Sequence, residues 1–140
     1  MITRETDYAM RTVLYLARQD PGATVSTANL SVAMEIPYRF LRKIVAKLVT
    51  AGLIRSRRGK GGGLGLAQRP EAISLLSVVR ATDPGVIQLN ECLVDPDRCT
   101  RSGFCILHTE LGEIQASLAA SLARLTFRDL VEREAAVTVR

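Results

Sequence analysis

Residues 26–67 constrain the fold of this 140-residue chain most strongly, because two helical patterns lead directly into a glycine-rich hairpin pattern. Ser26 or Thr27 can cap a short first helix. Pro37 ends that stretch, since the residue before a proline avoids helical backbone angles. A second helix is predicted over residues 38–50, where apolar residues recur at helical spacing: Leu41, Ile44, Val45, Leu48 and Val49.

The outer face of the second helix and the turn of the hairpin are both basic. Long cationic side chains on a helix can reach phosphates and base edges from the major groove. Residues 53–58 and 64–67 are predicted strands, and the glycine-rich turn between them can approach a sugar-phosphate backbone closely. This order predicts a winged helix-turn-helix unit that binds double-stranded DNA, although the helix alone could equally have a merely solvated basic face. The predicted contacts are Arg39, Arg42, Lys43, Lys47, Arg57, Arg58 and Lys60.

The charge is distributed unevenly along the chain. Residues 1–70 carry 12 Lys and Arg against 4 Asp and Glu, a net charge of +8, whereas residues 71–140 carry 7 against 10, a net charge of −3. A basic half joined to a mildly acidic half indicates a module that binds a polyanion and a second module for sensing or assembly. We therefore expect a DNA-binding region over residues 1–70, with the remaining function in residues 71–140.

All three cysteines and the only histidine lie between Cys92 and His108. Six residues separate Cys92 from Cys99, five separate Cys99 from Cys105, and two separate Cys105 from His108. Thiolates bind soft and borderline metals and are the main ligands of iron–sulfur clusters, so this polar loop is predicted to hold a cluster or a metal ion. Structural zinc and three free buried cysteines stay open as alternatives. No Ser/His/Asp arrangement with supporting context is present, so we do not expect an enzyme.

A long helix is predicted after the cysteines, with apolar residues at steps of four, three and four: Leu107, Leu111, Ile114 and Leu118. Such a seam is typical of paired helices and predicts a homodimer, although the same face could pack on the chain's own core. A palindromic DNA site would require that two-fold symmetry. No run of 18 apolar residues and no signal-peptide core occur, so we expect no membrane association and a cytoplasmic location with reduced thiols.

Five motifs together resemble the Rrf-type winged-helix regulators of bacteria, which include IscR, NsrR and RirA. The matching stretches are Thr6-Asp7-Tyr8-Ala9, Leu41–Leu53, Arg58–Gly63, the set Cys92, Cys99 and Cys105, and Thr126–Val131. The resemblance implies a mainly α-helical homodimeric transcription factor, most simply a repressor, that holds an iron–sulfur cluster on the three cysteines. It also implies that Arg39, Phe40 and Arg42 are recognition-helix contacts and that Arg58 is a wing arginine of the minor groove.

The resemblance leaves two candidates for the fourth ligand. His108 matches the ligand of IscR-like members, which hold a two-iron (2Fe–2S) cluster. Asp7 matches the aspartate that NsrR-like members donate from the partner subunit to a four-iron (4Fe–4S) cluster. The whole Thr6-Asp7-Tyr8 block is similar to NsrR-like members, which implies nitric oxide as the signal. Those two branches typically have five residues between the first two cysteines, where this chain has six.

Overall fold

A computed structural model describes residues 2–138 of the chain. Their regular elements are six α-helices and one antiparallel pair of strands, and four single 3₁₀ turns lie between the wing and the long fifth helix. The α-helices are α1 (Arg4–Ala17), α2 (Thr27–Ala33), α3 (Tyr38–Thr50), α4 (Leu75–Thr82), α5 (Ile106–Arg124) and α6 (Phe127–Thr138). The strands are β1 (Ile54–Arg57) and β2 (Gly63–Leu66), and the 3₁₀ turns are Pro70–Ala72, Pro84–Ile87, Glu91–Leu93 and Pro96–Arg98.

Local side chains set the helix boundaries. The hydroxyls of Thr3, Ser26 and Ser74 accept hydrogen bonds from backbone N–H groups in the first turns of α1, α2 and α4. At the start of α6, Thr126 N donates to Asp129 Oδ2 at 2.9 Å while Asp129 N donates to Thr126 Oγ1 at 3.2 Å. The hydrogen bonds that the backbone N–H and the hydroxyl of Thr126 donate to the carboxylate hold the pKa of Asp129 below its ordinary value.

The helix-turn-helix is formed by α2 and α3, as the sequence predicts. Between them Glu35 has a φ of 53°, a left-handed conformation that is uncommon for a non-glycine residue. Ser31 Oγ donates to the carbonyl of Ile36 at 2.6 Å, and Ile36 N donates to the carbonyl of Ser31 at 3.0 Å, so the tight turn is held from both sides. Gly52, with a φ of 70°, ends α3 and lets the chain turn into β1.

The β-hairpin pairs Ile54 with Leu66 and Arg57 with Gly63. A third segment lies along β2, because Val25 N donates to Leu64 O at 2.9 Å and Leu64 N donates to Val25 O at 2.7 Å. A Cβ atom on Gly63 would lie 2.8 Å from the carbonyl oxygen of Val25, so this glycine is needed for the close approach of the two backbones. The wing is therefore a hairpin braced by the residues that precede α2.

One buried core joins elements from both halves of the sequence. Leu41 and Ile44 from α3, Val13 from α1 and Ile73 ahead of α4 are each at most 1% exposed. Phe127, the first residue of α6, is 0% exposed in the same cluster. Although α4 and α6 lie beyond residue 70, they pack against α1, so residues 1–70 share their core with the later helices. The boundary at residue 70 stays a prediction.

The long helix α5 differs from the others because none of its residues is buried. It contacts α4 and the 3₁₀ turns Pro84–Ile87 and Glu91–Leu93, while three of the four residues of its apolar seam are exposed. Leu107 is 66% exposed, Ile114 56% and Leu118 39%, so the seam does not pack on the chain's own core. Within residues 2–138, no helix is both long enough and apolar enough to cross a membrane.

Candidate DNA-binding surface and cysteine loop

The exposed face of α3 carries three cations that have no acidic partner among residues 2–138. Arg39, Arg42 and Lys43 are all exposed and line an open groove on this face. Within the described part of the chain, none of the three takes part in an ion pair. Unpaired cations on a helix face raise the local positive potential, which attracts a polyanion such as DNA.

Three further predicted contacts, Arg57, Arg58 and Lys60, lie at the tip of the wing. All three are exposed, and over residues 2–138 they likewise form no ion pair. The wing directly follows α3 and the turn after it, so the two sets of cations belong to consecutive elements. These six side chains are exposed and form no ion pair within residues 2–138, and we call them the basic face: Arg39, Arg42, Lys43, Arg57, Arg58 and Lys60.

Thr24 holds the wing tip, a role that the sequence patterns did not reveal. Its hydroxyl lies 3.3 Å from the carbonyl oxygen of Gly61 and 3.2 Å from that of Gly62, to which it can donate. Gly62 N also donates to the carbonyl of Gly59 at 3.0 Å, which closes the turn. A Cβ atom on Gly62 would lie 2.4 Å from the carbonyl oxygen of Arg57. The turn therefore requires glycine at this position, because a side chain would clash with its backbone. A threonine ahead of a helix cap carries no distinctive signal in a single sequence.

Lys47, the seventh predicted cationic contact, is placed differently from the basic face. Its Nζ lies 2.7 Å from Glu5 Oε1 in α1 and donates to the carbonyl of Thr82 at 3.2 Å in α4. Its side chain is 43% exposed. Lys47 is therefore already engaged by two other helices of the same chain.

A cavity of about 260 Å³ lies between the first turns of α1 and α3. Tyr8, Phe40 and Ile44 contribute to its lining, together with the charged residues Glu5 and Lys43. Phe40, a contact implied by the family resemblance, is 56% exposed at this position. An exposed phenyl ring on the outer face of a helix in the major groove can contact a thymine methyl group.

The three cysteines lie along one loop that leads into α5. All three are free thiols and half-buried. Cys92 lies in the 3₁₀ turn Glu91–Leu93, Cys99 follows the turn Pro96–Arg98, and Cys105 is the N-cap residue of α5. The loop is tied to α5 because Leu89 N donates to Gln115 Oε1 at 2.9 Å. The long helix predicted after the cysteines is confirmed, and it begins at Ile106.

Only part of the predicted ligand set is brought into contact. His108 Nδ1 lies 3.4 Å from Cys92 Sγ, so an imidazole and a thiol meet across the base of the loop. Asp7 lies in the first turn of α1, where its carboxylate is 3.1 Å from Arg11 Nε. Over residues 2–138 no group of three or more Cys, His, Asp or Glu side chains is arranged to hold a metal ion. The donor chemistry of three thiols and one imidazole nevertheless fits an iron–sulfur cluster or zinc.

Comparison with known proteins gives relatives over nearly the whole chain. The family model described as "Rrf2: Iron-dependent Transcriptional regulator" matches residues 2–133. The HTH-type transcriptional regulator NsrR of Bacillus subtilis (strain 168) is 31% identical over 134 residues, which cover 95% of this chain and 91% of that protein. These relatives are transcriptional regulators and not enzymes, as the sequence predicts.

Solved structures confirm the winged-helix fold. The structure of CymR, described as the global cysteine regulator of B. subtilis, has a TM-score of 0.75 at 24% identity and covers 95% of this chain and 97% of its own. IscR from T. potens has a TM-score of 0.77 at 19% identity and covers 96% of this chain and 88% of its own. At these identities the likeness concerns the fold.

Proposed function

The chain belongs to the Rrf2 family of transcriptional regulators, and from this premise we propose that it is a homodimeric, iron–sulfur cluster-dependent repressor of transcription. The observation that carries the DNA-binding part is the basic face, whose six cations have no acidic partner among residues 2–138. A regulator of this kind would act in the cytoplasm, where DNA is reached and thiols stay reduced.

The basic face and its geometry suggest how DNA is bound. The helix α3 would lie in the major groove with Arg39, Phe40 and Arg42 towards the bases. The wing would lie along the backbone, with Arg58 able to enter a narrow minor groove. Cations that are not paired within the protein are free to replace the counterions of phosphates, so binding should be strongly salt dependent.

The exposed seam of α5 supports the homodimer. Leu107, Ile114 and Leu118 leave an apolar stripe without a partner along a 19-residue helix. A second copy would bury this stripe symmetrically and place two basic faces on one palindromic DNA site.

The cysteine loop supports the cofactor proposal. Cys92, Cys99 and Cys105 would supply three thiolate ligands, and His108 of the same chain or Asp7 of the partner subunit would supply the fourth. His108 is favoured by its 3.4 Å contact with Cys92. Asp7 is favoured by the first-turn block that resembles NsrR-like members, and by the 31% identity to NsrR. A cluster bound there would supply sensitivity to nitric oxide, to redox state or to iron–sulfur supply.

One alternative is a regulator that binds DNA without a cluster, with zinc or free thiols in the loop. One observation favours free thiols: no group of three or more possible metal ligands is arranged together among residues 2–138. In that case the half-buried cysteines would respond to thiol chemistry directly.

An anaerobic absorption spectrum with iron and sulfide analysis, before and after addition of nitric oxide, tests the cofactor proposal. A brown protein with matching iron and sulfide that bleaches with nitric oxide is expected. A colourless protein that contains zinc would reject the proposed iron–sulfur cluster. It would not affect the proposal that the protein binds DNA. For the fourth ligand, Asp7→Ala and His108→Ala should be compared, and the true ligand is the one whose loss changes the native spectrum.

DNA binding is tested by measuring affinity between 50 and 200 mM salt. If about six phosphates are contacted, affinity should fall on the order of 10³-fold over this range. A flat response would reject the proposed role of the basic face.

A further inference from the structure

We propose that Lys47 is a positioning residue that fixes the orientation of α3, and not a phosphate contact. The proposal rests on the proposed function, because it assumes that α3 lies in the major groove. It changes the role expected for Lys47 from the sequence, where this residue is one of several cations on the same helix face.

The contacts of Lys47 distinguish it from the cations of the basic face. Its ammonium group lies 2.7 Å from the carboxylate of Glu5 and 3.2 Å from the carbonyl oxygen of Thr82. Glu5 is in the first turn of α1 and Thr82 is the last residue of α4. One side chain of α3 thus links the ends of two other helices, whereas Arg42 and Lys43 on the same helix form no ion pair within the described residues.

A buried hydrogen-bond chain continues from the same point. Thr82 Oγ1 lies 3.0 Å from Thr6 Oγ1, and both side chains are buried. Thr6 Oγ1 lies 3.1 Å from Thr3 Oγ1, the cap of α1. The start of α1 and the end of α4 are therefore fixed to each other beneath Lys47, so Lys47 ties α3 to a rigid unit.

This position connects the recognition helix with both segments that carry candidate ligands. The chain runs from Thr82 through the 3₁₀ turn Pro84–Ile87 into the cysteine loop. On the other side, Asp7 lies two residues beyond Glu5 in the same first turn. A shift of either segment would reach α3 through the contacts of Lys47.

The two roles of Lys47 make opposite predictions for Glu5→Gln. If Lys47 positions α3, removing its acidic partner releases the helix and weakens DNA binding by at least about 5-fold. This factor is the lower end of the affinity changes that are typical of two coupled sites. If Lys47 contacts a phosphate, the same change frees the ammonium group and removes a negative charge beside DNA, so binding stays the same or becomes tighter. Glu132→Gln is the matched control, since it removes an exposed acid that pairs with Arg128 on α6.

The measurement is the affinity for a duplex selected by the wild-type protein from a random-sequence pool, for single variants and the double variant. We expect Glu5→Gln and Lys47→Met to weaken DNA binding to a similar degree. Their effects should not add in the double variant, because both remove the same contact. Lys47→Arg should bind DNA about as well as the wild type. The salt slope of Lys47→Met should stay close to that of the wild type. A phosphate contact would instead reduce the slope by about 1 per protomer.

The outcomes separate this inference from the proposed function. Tighter or unchanged binding by Glu5→Gln, or additive effects in the double variant, would overturn the role of Lys47 while wild-type DNA binding stands. A wild-type protein without salt-dependent binding would reject the proposed function itself. Thermal melts establish that the variants fold, which is expected because both charged groups are about two-fifths exposed and such pairs contribute little to stability.

Discussion

Replacing Gly62 by alanine should disrupt the wing while leaving the core intact. The new Cβ atom would lie 2.4 Å from the carbonyl oxygen of Arg57 and 2.9 Å from that of Gly59. Both neighbours are backbone atoms, so the turn itself must move, by at least about 0.6 Å to bring the closest contact to 3.0 Å. The Gly62–Gly59 hydrogen bond and the hydroxyl contact of Thr24 would be lost with that movement.

The functional effect follows from the cations that the turn carries. Arg58 and Lys60 lie on either side of Gly59 in the same turn, so a displaced turn would move them away from the DNA backbone that we propose they contact. If each protomer loses one phosphate contact, a dimer loses two, and the salt slope becomes shallower by about 1.8. At about 0.1 M salt, the affinity would then fall on the order of 10²-fold.

Fluorescence anisotropy over a salt series measures both quantities on one duplex. Gly61→Asn is the matched control in the same turn. Gly61 has a φ of 75°, and a Cβ atom there would meet nothing within 4 Å. Asparagine tolerates this left-handed conformation, so the control should bind within about threefold of the wild type. If Gly62→Ala keeps the wild-type slope, the wing cations do not contact phosphates or the turn does not hold them.

The remaining predictions concern stability and assembly. Phe127→Ala should lower the free energy of unfolding in urea by about 3–5 kcal/mol, because the ring is fully buried. Phe104→Ala should change it little, because that ring is 78% exposed. A loss below about 1 kcal/mol at Phe127 would refute its place in the core. Ile114→Asp should convert a dimer into a monomer in sedimentation experiments, and a persisting dimer would remove α5 as the interface. The lowered pKa of Asp129 means that its stabilisation is present above about pH 4 and is lost as the pH falls through the lower folded value, so Asp129→Asn should flatten this part of an acid-unfolding profile.

Local patterns predicted the helix-turn-helix and the hairpin within residues 1–70 correctly. The helix over residues 38–50, its end at Gly52 and the hairpin after it depend on apolar spacing, caps and glycines, which act over a few residues. Apolar spacing by itself does not place every boundary. The helix α4 begins at Leu75 because Ser74 is its cap, and residues 70–72 before it form a separate 3₁₀ turn.

For the cysteine loop, the sequence predicts the ligand chemistry but not which side chains come into contact. The order and spacing of Cys92, Cys99 and Cys105 identify ligand chemistry, because only certain side chains bind a cluster or metal. Spacing does not determine which donors meet, since loop residues are positioned by turns and by contacts with α5. The contact between Cys92 and His108 spans 16 residues and follows from the folded loop.

The sequence alone therefore determined the element order, the cations of α3 and the wing, the thiol loop and the family resemblance, because each depends on neighbouring residues or on residue type. Tertiary structure decided which faces find partners. Phe127 closes a core that begins more than a hundred residues earlier, Thr24 braces a wing tip 37 residues away, and Lys47 binds Glu5 and Thr82 instead of facing solvent freely. Periodicity shows that a helix has an apolar or a charged face, but the group that meets this face is set by long-range packing, which local spacing does not encode.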